Sequence, residues 1–464
     1  MNRHAIVIGG SLAGLCAARA LSRFFEHVTV LERDALPVDT HCRRGVPQAR
    51  HVHALLARGR TELERLLPGF TARLREAGAL EHDMARDFAV LRPYGWAPRE
   101  ESGIPSLFAS RELVEATVRG MLAEHSNVSF EDRSDVAGLR VDPYGSGRIT
   151  GVVLENGARD VFADLVVDAS GARSPAPRWL REAGLAVPEE TRVDSFCSYS
   201  TRWYEAPPPE ERPDGWWWKG IWIDPRPGCE KRAAVLFPAE GGRWIVTLVG
   251  LARMPPPTTE AGFVEALGRL PSPLVAQAVN LAKPVSPVYG SRSTVNRLRH
   301  YERVRWPLQG FLALGDAVCS FNPLYGQGMT AAAVCARILE RQLELLAPGH
   351  PELSVRFFQA QSDFMSGPWR LATSADFRFA ETEGQRPAFS EWRTRYMDAL
   401  IAASGDDPAL RAVIAEVVHM LCPPERLFAA DVVVRVLRQH MRRRLGGMPP
   451  FAAASAAAPR LAAR

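Results

Sequence analysis

The sequence predicts an α/β protein: a parallel sheet flanked by helices, interrupted by an antiparallel-sheet domain and followed by a helical C-terminal segment. Three observations carry that reading. The chain opens with a continuous apolar strand, a glycine turn and an alanine-rich helix, in AIVIGG, GGSLAG and LCAARALSRF. A second buried-looking strand, FLAL (311–314), runs into another glycine-punctuated loop and another alanine-rich helix. Between them, residues 185–284 read as strands (RVDSFCSYSTRWYEAP, AAVLFPA, GGRWIVTLVGL) broken by PPPEERPDG and MPPPTT loops. The 464 residues thus divide into a first domain in two parts, 1–184 and 285–345, an inserted sheet domain, 185–284, and a helical region, 346–464. That division suits the ~100–200 residues usual for one unit.

Composition narrows the class. Hydrophobic content of 46% with 23% charge is ordinary for a soluble globular protein. No run of ~18 apolar residues is present, so no stable membrane insertion is expected. MNRHAIVIGG enters a strand at once and has no signal-peptide pattern. The seven cysteines form no CxxC pair, which argues against a disulfide framework and for a reducing, cytoplasmic location. The net charge of +5 is almost wholly arginine, with only Lys219, Lys231 and Lys283 as lysines. Apart from RQHMRRR (438–444) there is no basic helix, and nucleic-acid binding is not expected. The last residues, GGMPPFAAASAAAPRLAAR, look like a mobile small-residue tail.

Taken in order, the first unit is strand 5–10, turn 9–14, a helix, and a second strand, VTVLERD (28–34), ending in an acid. This strand–turn–helix–strand–acid unit is the dinucleotide-binding, Rossmann-like pattern. Gly9 makes the tight turn and Gly14 lets helix and strand pack closely. Gly10, Ser11 and Ala13 complete the turn, with Ser11 where the middle glycine is usual. The helix N-terminus offers N–H groups and a favourable dipole to a diphosphate. Glu32 is placed to accept from ribose hydroxyls, with Arg33 beside it.

The chain then departs from regular βαβ repeats. A basic loop and helix, CRRGVPQARHVHALLARGRTELERLLPG (42–69), precede FASRELVEATVRGML (108–122), a helix capped by Ser110. Arg111 in its positive first turn calls for a nearby anion. After strands near 127–131 and 149–157 comes DLVVDASGARSPAPRWL (164–180). Asp316, in GDAVCSFNPLYGQGM (315–329), closes the buried-looking strand, and a buried carboxylate needs a partner.

The glycine start and the distant strand-plus-GD segment together resemble the FAD-binding domain of the p-hydroxybenzoate hydroxylase class of flavoproteins. The resemblance implies that Asp316 accepts hydrogen bonds from the ribityl chain of FAD. It places Pro323, Gly326, Gln327, Gly328 and Met329 at the pyrimidine edge of the flavin ring. Ser170 stands where that class usually has the Asp of Asp-Gly, in a segment associated with nicotinamide and flavin contacts. Reduction by NAD(P)H directly, or by a separate flavin reductase, therefore both remain open.

RRGVPQARHVHALL (43–56), RWIVTLVG (243–250), SRSTVNRLRHYERV (291–304), GDAVCSFNPLYGQGM and PWRLATSADFRF (368–379) resemble a narrower group, the flavin-dependent epoxidases of polyether polyketide biosynthesis. That likeness puts Arg44, Gln48 and Arg50 near the flavin or its phosphates. It brings His51 and His53 toward the ring, unless they are a hydrogen-bonded pair opening the next helix. No metal is expected, because no carboxylate or cysteine sits beside these histidines at ligand spacing.

GWWWKGIWID (215–224) offers Trp216, Trp218 and Trp222 either as an apolar substrate wall or as sheet core or partner interface. FAADVVVRVLRQHMRRR (428–444) reads as a packed terminal helix, with a membrane surface as the alternative that its basic face allows. The expected activity is FAD-dependent monooxygenation of an apolar small molecule by O2 through a flavin C4a-hydroperoxide, with epoxidation of a polyketide alkene foremost. An aromatic or aliphatic hydroxylase, a flavin-dependent isoprenoid reductase and a non-enzymatic flavin-binding protein are the alternatives.

Overall fold

The computed structural model describes residues 3–445 apart from 38–42, 44, 156–158, 292–294, 307 and 389. The Arg44 expectation and the terminal tail therefore lie outside the described residues. β1 (His4–Ile8), α1 (Leu12–Leu21) and β2 (His27–Leu31) form the opening unit. α2 (Arg111–Ala123) leads to β3 (Val128–Glu131), and β4 (Leu165–Asp168) follows a three-stranded antiparallel flap spanning 136–162. β5 (Phe311–Ala313) and the long α3 (Gly328–Leu345) complete the domain.

The sheet order is β5-β4-β1-β2-β3, and every pairing is parallel. Ile6 and Val7 are fully buried, as the continuous apolar run requires of a strand covered on both faces. Ile8 lies opposite both Asp168 and Leu31, and Asp168 opposite Ala313, so the strands end level. Gly9, Glu32, Ser170 and Asp316 thus all leave the same carboxyl edge, where ligands of open α/β sheets bind.

The second sheet has eight strands. Its order is Lys283–Pro284, Ser198–Glu205, Arg243–Gly250, Arg232–Ala239, Gly220–Ile223, Phe88–Arg92 and Gly95–Trp96, with Tyr289–Ser291 also on Ser198–Glu205. Phe88–Arg92 joins from well before residue 185 and pairs parallel with Gly220–Ile223; the other pairings are antiparallel. Side chains alternate between its faces. Ala234, Leu236, Trp244 and Val246 pack under helices Glu260–Gly268 and Leu274–Asn280, while Val235 and Phe237 join Phe88, Val90 and Trp222 on the other face.

The C-terminal layer is α4 (Leu353–Asp376), α5 (Ser390–Ser404), α6 (Pro408–Val418) and α7 (Ala430–Leu445). Leu400, Leu410, Val417, Leu427, Val432 and Val436 form its own small core. Arg411 reaches back to both oxygens of Glu100, tying α6 to the loop after the second sheet's edge strand.

Candidate functional site: one cavity with a charged and an apolar end

A cavity of about 1050 Å³ runs from the carboxyl edge of the parallel sheet, along the face of the second sheet, to the C-terminal helices. Gly9, Ser11, Ala13, Glu32, Arg33 and Gln48 line its near end, as do Arg111, Asp316, Gly328 and Met329. The early turn and the late aspartate, about 300 residues apart in sequence, therefore share one groove.

The glycines of the turn are sterically fixed. Gly9 has φ +104°, and a Cβ there would meet the Ala169 carbonyl oxygen at 2.7 Å. A Cβ on Gly14 would stand 1.7 Å from the Gly9 carbonyl oxygen, so only glycine lets α1 cross this close. Gly10 and Gly14 shape the turn from behind the cavity wall rather than lining it.

Ser11 does not cap α1 with its side chain. Its hydroxyl donates instead to Glu115 on α2, and Arg111 donates to that hydroxyl at 3.1 Å. Glu115 is buried and also takes Arg111 at 2.9 Å and Arg43 at 3.0 Å. Burial alone would raise its pKa, but Arg111 and Arg43 outweigh burial and hold it at about 2. The anion demanded by Arg111 is thus a protein carboxylate one turn away. Arg43 and Glu115 were not singled out from the sequence. The signals for them were the doubled arginine in CRRG and the four-residue spacing of Arg111 and Glu115.

Glu32 accepts from the Gly10 amide at 2.8 Å, from the Asp34 amide at 3.0 Å, and pairs with Arg43 at 2.8 Å. A carboxylate has roughly four acceptor positions. Among the described residues one position stays open, and Glu32 lines the cavity.

Asp316 differs. Among the described residues, no side chain or amide hydrogen-bonds its carboxylate. Burial raises its pKa and Arg111 opposes the shift. The side-chain oxygen of Gln327, at the start of α3, is likewise buried without a partner. Asp316 is therefore an acceptor on the cavity wall with no donor among the described residues, which fits a polyhydroxylated ligand. Gly326 takes φ +64° to end the Pro323–Tyr325 turn.

That turn is anchored from behind. Asn322, fully buried, accepts from the Leu324 amide at 3.1 Å and from the Tyr199 hydroxyl at 2.7 Å. Its amide group donates at 3.2 Å to Ser195 and to Asp376, and the Tyr325 hydroxyl donates to Asp376 at 2.7 Å. Asn296 completes the set on Asp376. The Ser170 segment is a similar knot: Asp168 accepts from the Ser170 amide at 2.9 Å, the Ser170 hydroxyl at 2.6 Å and the Ser174 hydroxyl.

His51 and His53 both line the cavity. His51 bonds Thr201 at 2.8 Å, and Thr201 bonds Thr247 at 2.7 Å, pinning the loop to the second sheet. His53 bonds the His51 carbonyl at 2.9 Å. Burial, with Arg50 adding to it at His51, lowers their pKa values to about 4 and about 3, so both are neutral at pH 7. Arg50, expected near the flavin or its phosphates, lies over the Tyr289 ring at 4.8 Å and is not among the residues lining the cavity.

The tryptophan expectation needs correction. Trp222 lines the cavity with Phe88, Val90, Val235 and Phe237. Trp216 and Trp218 do not; they pack at a tilt against Trp244 on the helix side, with ring centroids 5.9 and 6.0 Å from it. Residue 222 belongs to a strand whose alternation turns it inward, whereas 216 and 218 precede that strand. The remaining apolar wall comes from the C-terminal region, through Phe377, Phe379, Met397, Ile401 and Ile414. Helical periodicity there gave no sign of which face would meet a ligand.

No known protein-family pattern matches the chain. The flavin-dependent brominase Bmp2 superposes with a TM-score of 0.65 at 14% identity, covering 95% of this chain and 100% of its own. 2-Methyl-3-hydroxypyridine-5-carboxylic acid oxygenase gives 0.61 at 18%, covering 81% and 92%. PqsL of Pseudomonas aeruginosa, a probable FAD-dependent monooxygenase, gives 0.57 at 18%, covering 82% and 99%. The α/β architecture of this chain, parallel sheet plus antiparallel sheet plus helices, is therefore one shared with flavin-dependent enzymes. Protein Rv3254 of Mycobacterium tuberculosis is 32% identical over 428 residues, which is 88% of this chain and 87% of that protein. The chain belongs to the family of Protein Rv3254.

Proposed function

We propose that this chain is an FAD-dependent monooxygenase acting on an apolar small molecule, and that its reaction is epoxidation of an alkene, a polyketide foremost. The observation that carries the cofactor is Asp316, an acceptor with no donor among the described residues, at the end of a groove that begins at the Gly9 turn. The turn and α1 would hold the diphosphate, Glu32 a ribose, and Asp316 the ribityl hydroxyls. Pro323 to Met329 would face the ring edge. FAD, when bound, supplies the electrons and the O2 activation from which one oxygen atom is transferred.

The protein's part is to position and to keep water out. Trp222, Phe237, Val90 and Phe379 make a dry wall beside that loop. The cavity's charged residues at the helical end are largely neutralised in pairs, Arg411 with Glu100, Arg378 with Asp398 and Arg370 with Glu425. An uncharged substrate suits such a wall. An alkene needs no deprotonation, whereas a phenol gains from a base. His51 and His53, the titratable imidazoles nearest the loop, have too little basicity for that task, which favours epoxidation over phenol hydroxylation. None of the three lysines lines the cavity, which sets this chain apart from a lysine-dependent halogenating site.

The test is mass spectrometry of products from the FAD-loaded protein, an NAD(P)H-driven or reductase-driven electron supply, O2 and a panel of polyenes and phenols. Gain of one oxygen with loss of an alkene is expected. Gain of oxygen on phenols alone would make it a hydroxylase. Oxygen-independent saturation of an alkene would make it a reductase.

A further inference from the structure

We infer that α7, with the aromatic cluster beside it, is a reversible docking surface for an anionic lipid membrane. The inference is independent of the cofactor reading. α7 has two apolar faces. Val432 and Val436 are buried in the core of the C-terminal layer. Half a turn away, Val434, Leu437, Met441 and Leu445 are exposed at 53, 55, 57 and 90%. Spacings of three, four and four place them on one stripe of a helix with 3.6 residues per turn. A helix that served only to close the layer would carry polar residues there.

Arginines flank the stripe. Arg435, Arg438 and Arg442 are exposed. Arg435 reaches Asp407 at 3.5 Å; Arg438 and Arg442 have no ion pair among the described residues. The one acid of the helix, Asp431, is held by Arg426. An outward apolar stripe edged by unpaired cations is the composition of a helix that lies in a lipid interface, and anionic headgroups supply the missing counter-charge.

A second observation extends the surface. Trp392, Tyr396 and Phe428 form an aromatic stack, with centroids 5.8 Å and 5.0 Å apart along it, on α5 and the Pro424–Phe428 turn, both packed on α7. Trp392 and Phe428 remain partly exposed, as rings at a membrane–water boundary do. The cavity reaches the aromatic cluster, since Phe428, Thr394 and the exposed Arg393 line it. A second copy is the weaker occupant, because two-fold self-pairing of this face sets arginine against arginine. No helix among the described residues is long and apolar enough to cross a membrane, so attachment would be peripheral.

The full chain should sediment with phosphatidylglycerol–phosphatidylcholine vesicles and much less with phosphatidylcholine alone, and high salt should release it. Arg438→Gln/Arg442→Gln should weaken binding by roughly ten- to thirty-fold. Leu437→Gln/Met441→Gln should abolish it, with thermal unfolding and bound flavin unchanged in both variants. No binding to the anionic vesicles, or binding that neither variant touches, overturns the inference. Loss of a stable dimer in Leu437→Gln/Met441→Gln without vesicle binding assigns the face to a second copy. Salt-sensitive retention on polyglutamate without vesicle binding assigns it to an acidic protein.

Discussion

Asp316 and Asp376 flank the same loop and are both driven toward protonation by burial, yet their surroundings are opposite. Asp376 is fully buried behind the loop and accepts from Tyr325, Asn296 and Asn322. Asp316 stands in front of it, on the cavity wall, and accepts from no described group. Among the described residues, one carboxylate has several donors and the other has none. The first is a clamp. The second is the one we propose a ligand completes. Glu115 extends the first class: two arginines and a serine saturate it.

The contrast breaks most visibly at Glu115. Glu115→Ala leaves Arg43 and Arg111 without their shared anion, and removal of one member of a buried charge cluster costs about 3–5 kcal/mol. Chemical denaturation should show that loss in the protein freed of flavin. Asp376→Ala should cost on the order of 3 kcal/mol by the same measurement, because three donors lose their acceptor at about 1 kcal/mol or more each. An unaltered midpoint would mean that the loop does not depend on this clamp.

Asp316→Ala should do the reverse. Flavin affinity should fall roughly ten- to hundred-fold, as about 1.5–3 kcal/mol of charge-assisted hydrogen bonding is lost, while the flavin-free protein keeps its stability. Absorbance of bound flavin against protein concentration reads this directly, and full retention would remove Asp316 from the cofactor site. Asp316→Asn sharpens the comparison with a smaller effect. A carboxylate whose folded pKa is raised destabilises the folded state above its ordinary value. The substitution should therefore raise the melting temperature of the flavin-free protein at pH 7.

Acid gives the gentlest test. The imidazoles of His51 and His53 are lowered from 6.5 to about 4 and about 3, so the stability their neutral forms contribute is present above pH 6.5 and declines as pH falls below it. Glu115, lowered from 4.5 to about 2, adds a further loss only below pH 4.5. Melting temperature followed from pH 7.5 to 4 should fall first shallowly, then steeply. His51→Gln should flatten the upper part alone.

Much of the groove was legible because its requirements are local. Gly9, Gly14, the acid at Glu32, the Ser110 cap and the buried strand before Asp316 are each dictated by backbone geometry within a few residues. What escaped were pairings set by distant chain. Nothing local marks Glu115, which Ser11 and Arg43 meet from 104 and 72 positions away. Asp376 sits at the end of a 24-residue helix whose periodicity says nothing of Asn322. The tryptophans stayed undecided for a simpler reason: aromatic density marks apolar surface but not which side of a sheet it will occupy, and only Trp222 had strand alternation to decide it, while Trp216 and Trp218 took the alternative place in the sheet core.

The strand order has a consequence for synthesis on the ribosome. β4 emerges by residue 168, but its outer neighbour β5 is not made until residue 313, and the helix that covers the groove ends at Leu345. Until then the nascent chain exposes one raw sheet edge and an open cleft, and the far wall waits for about a hundred residues more. Such late, long-range closure slows folding, and a chain released early would hold half a groove, with Asp316 not yet in its wall.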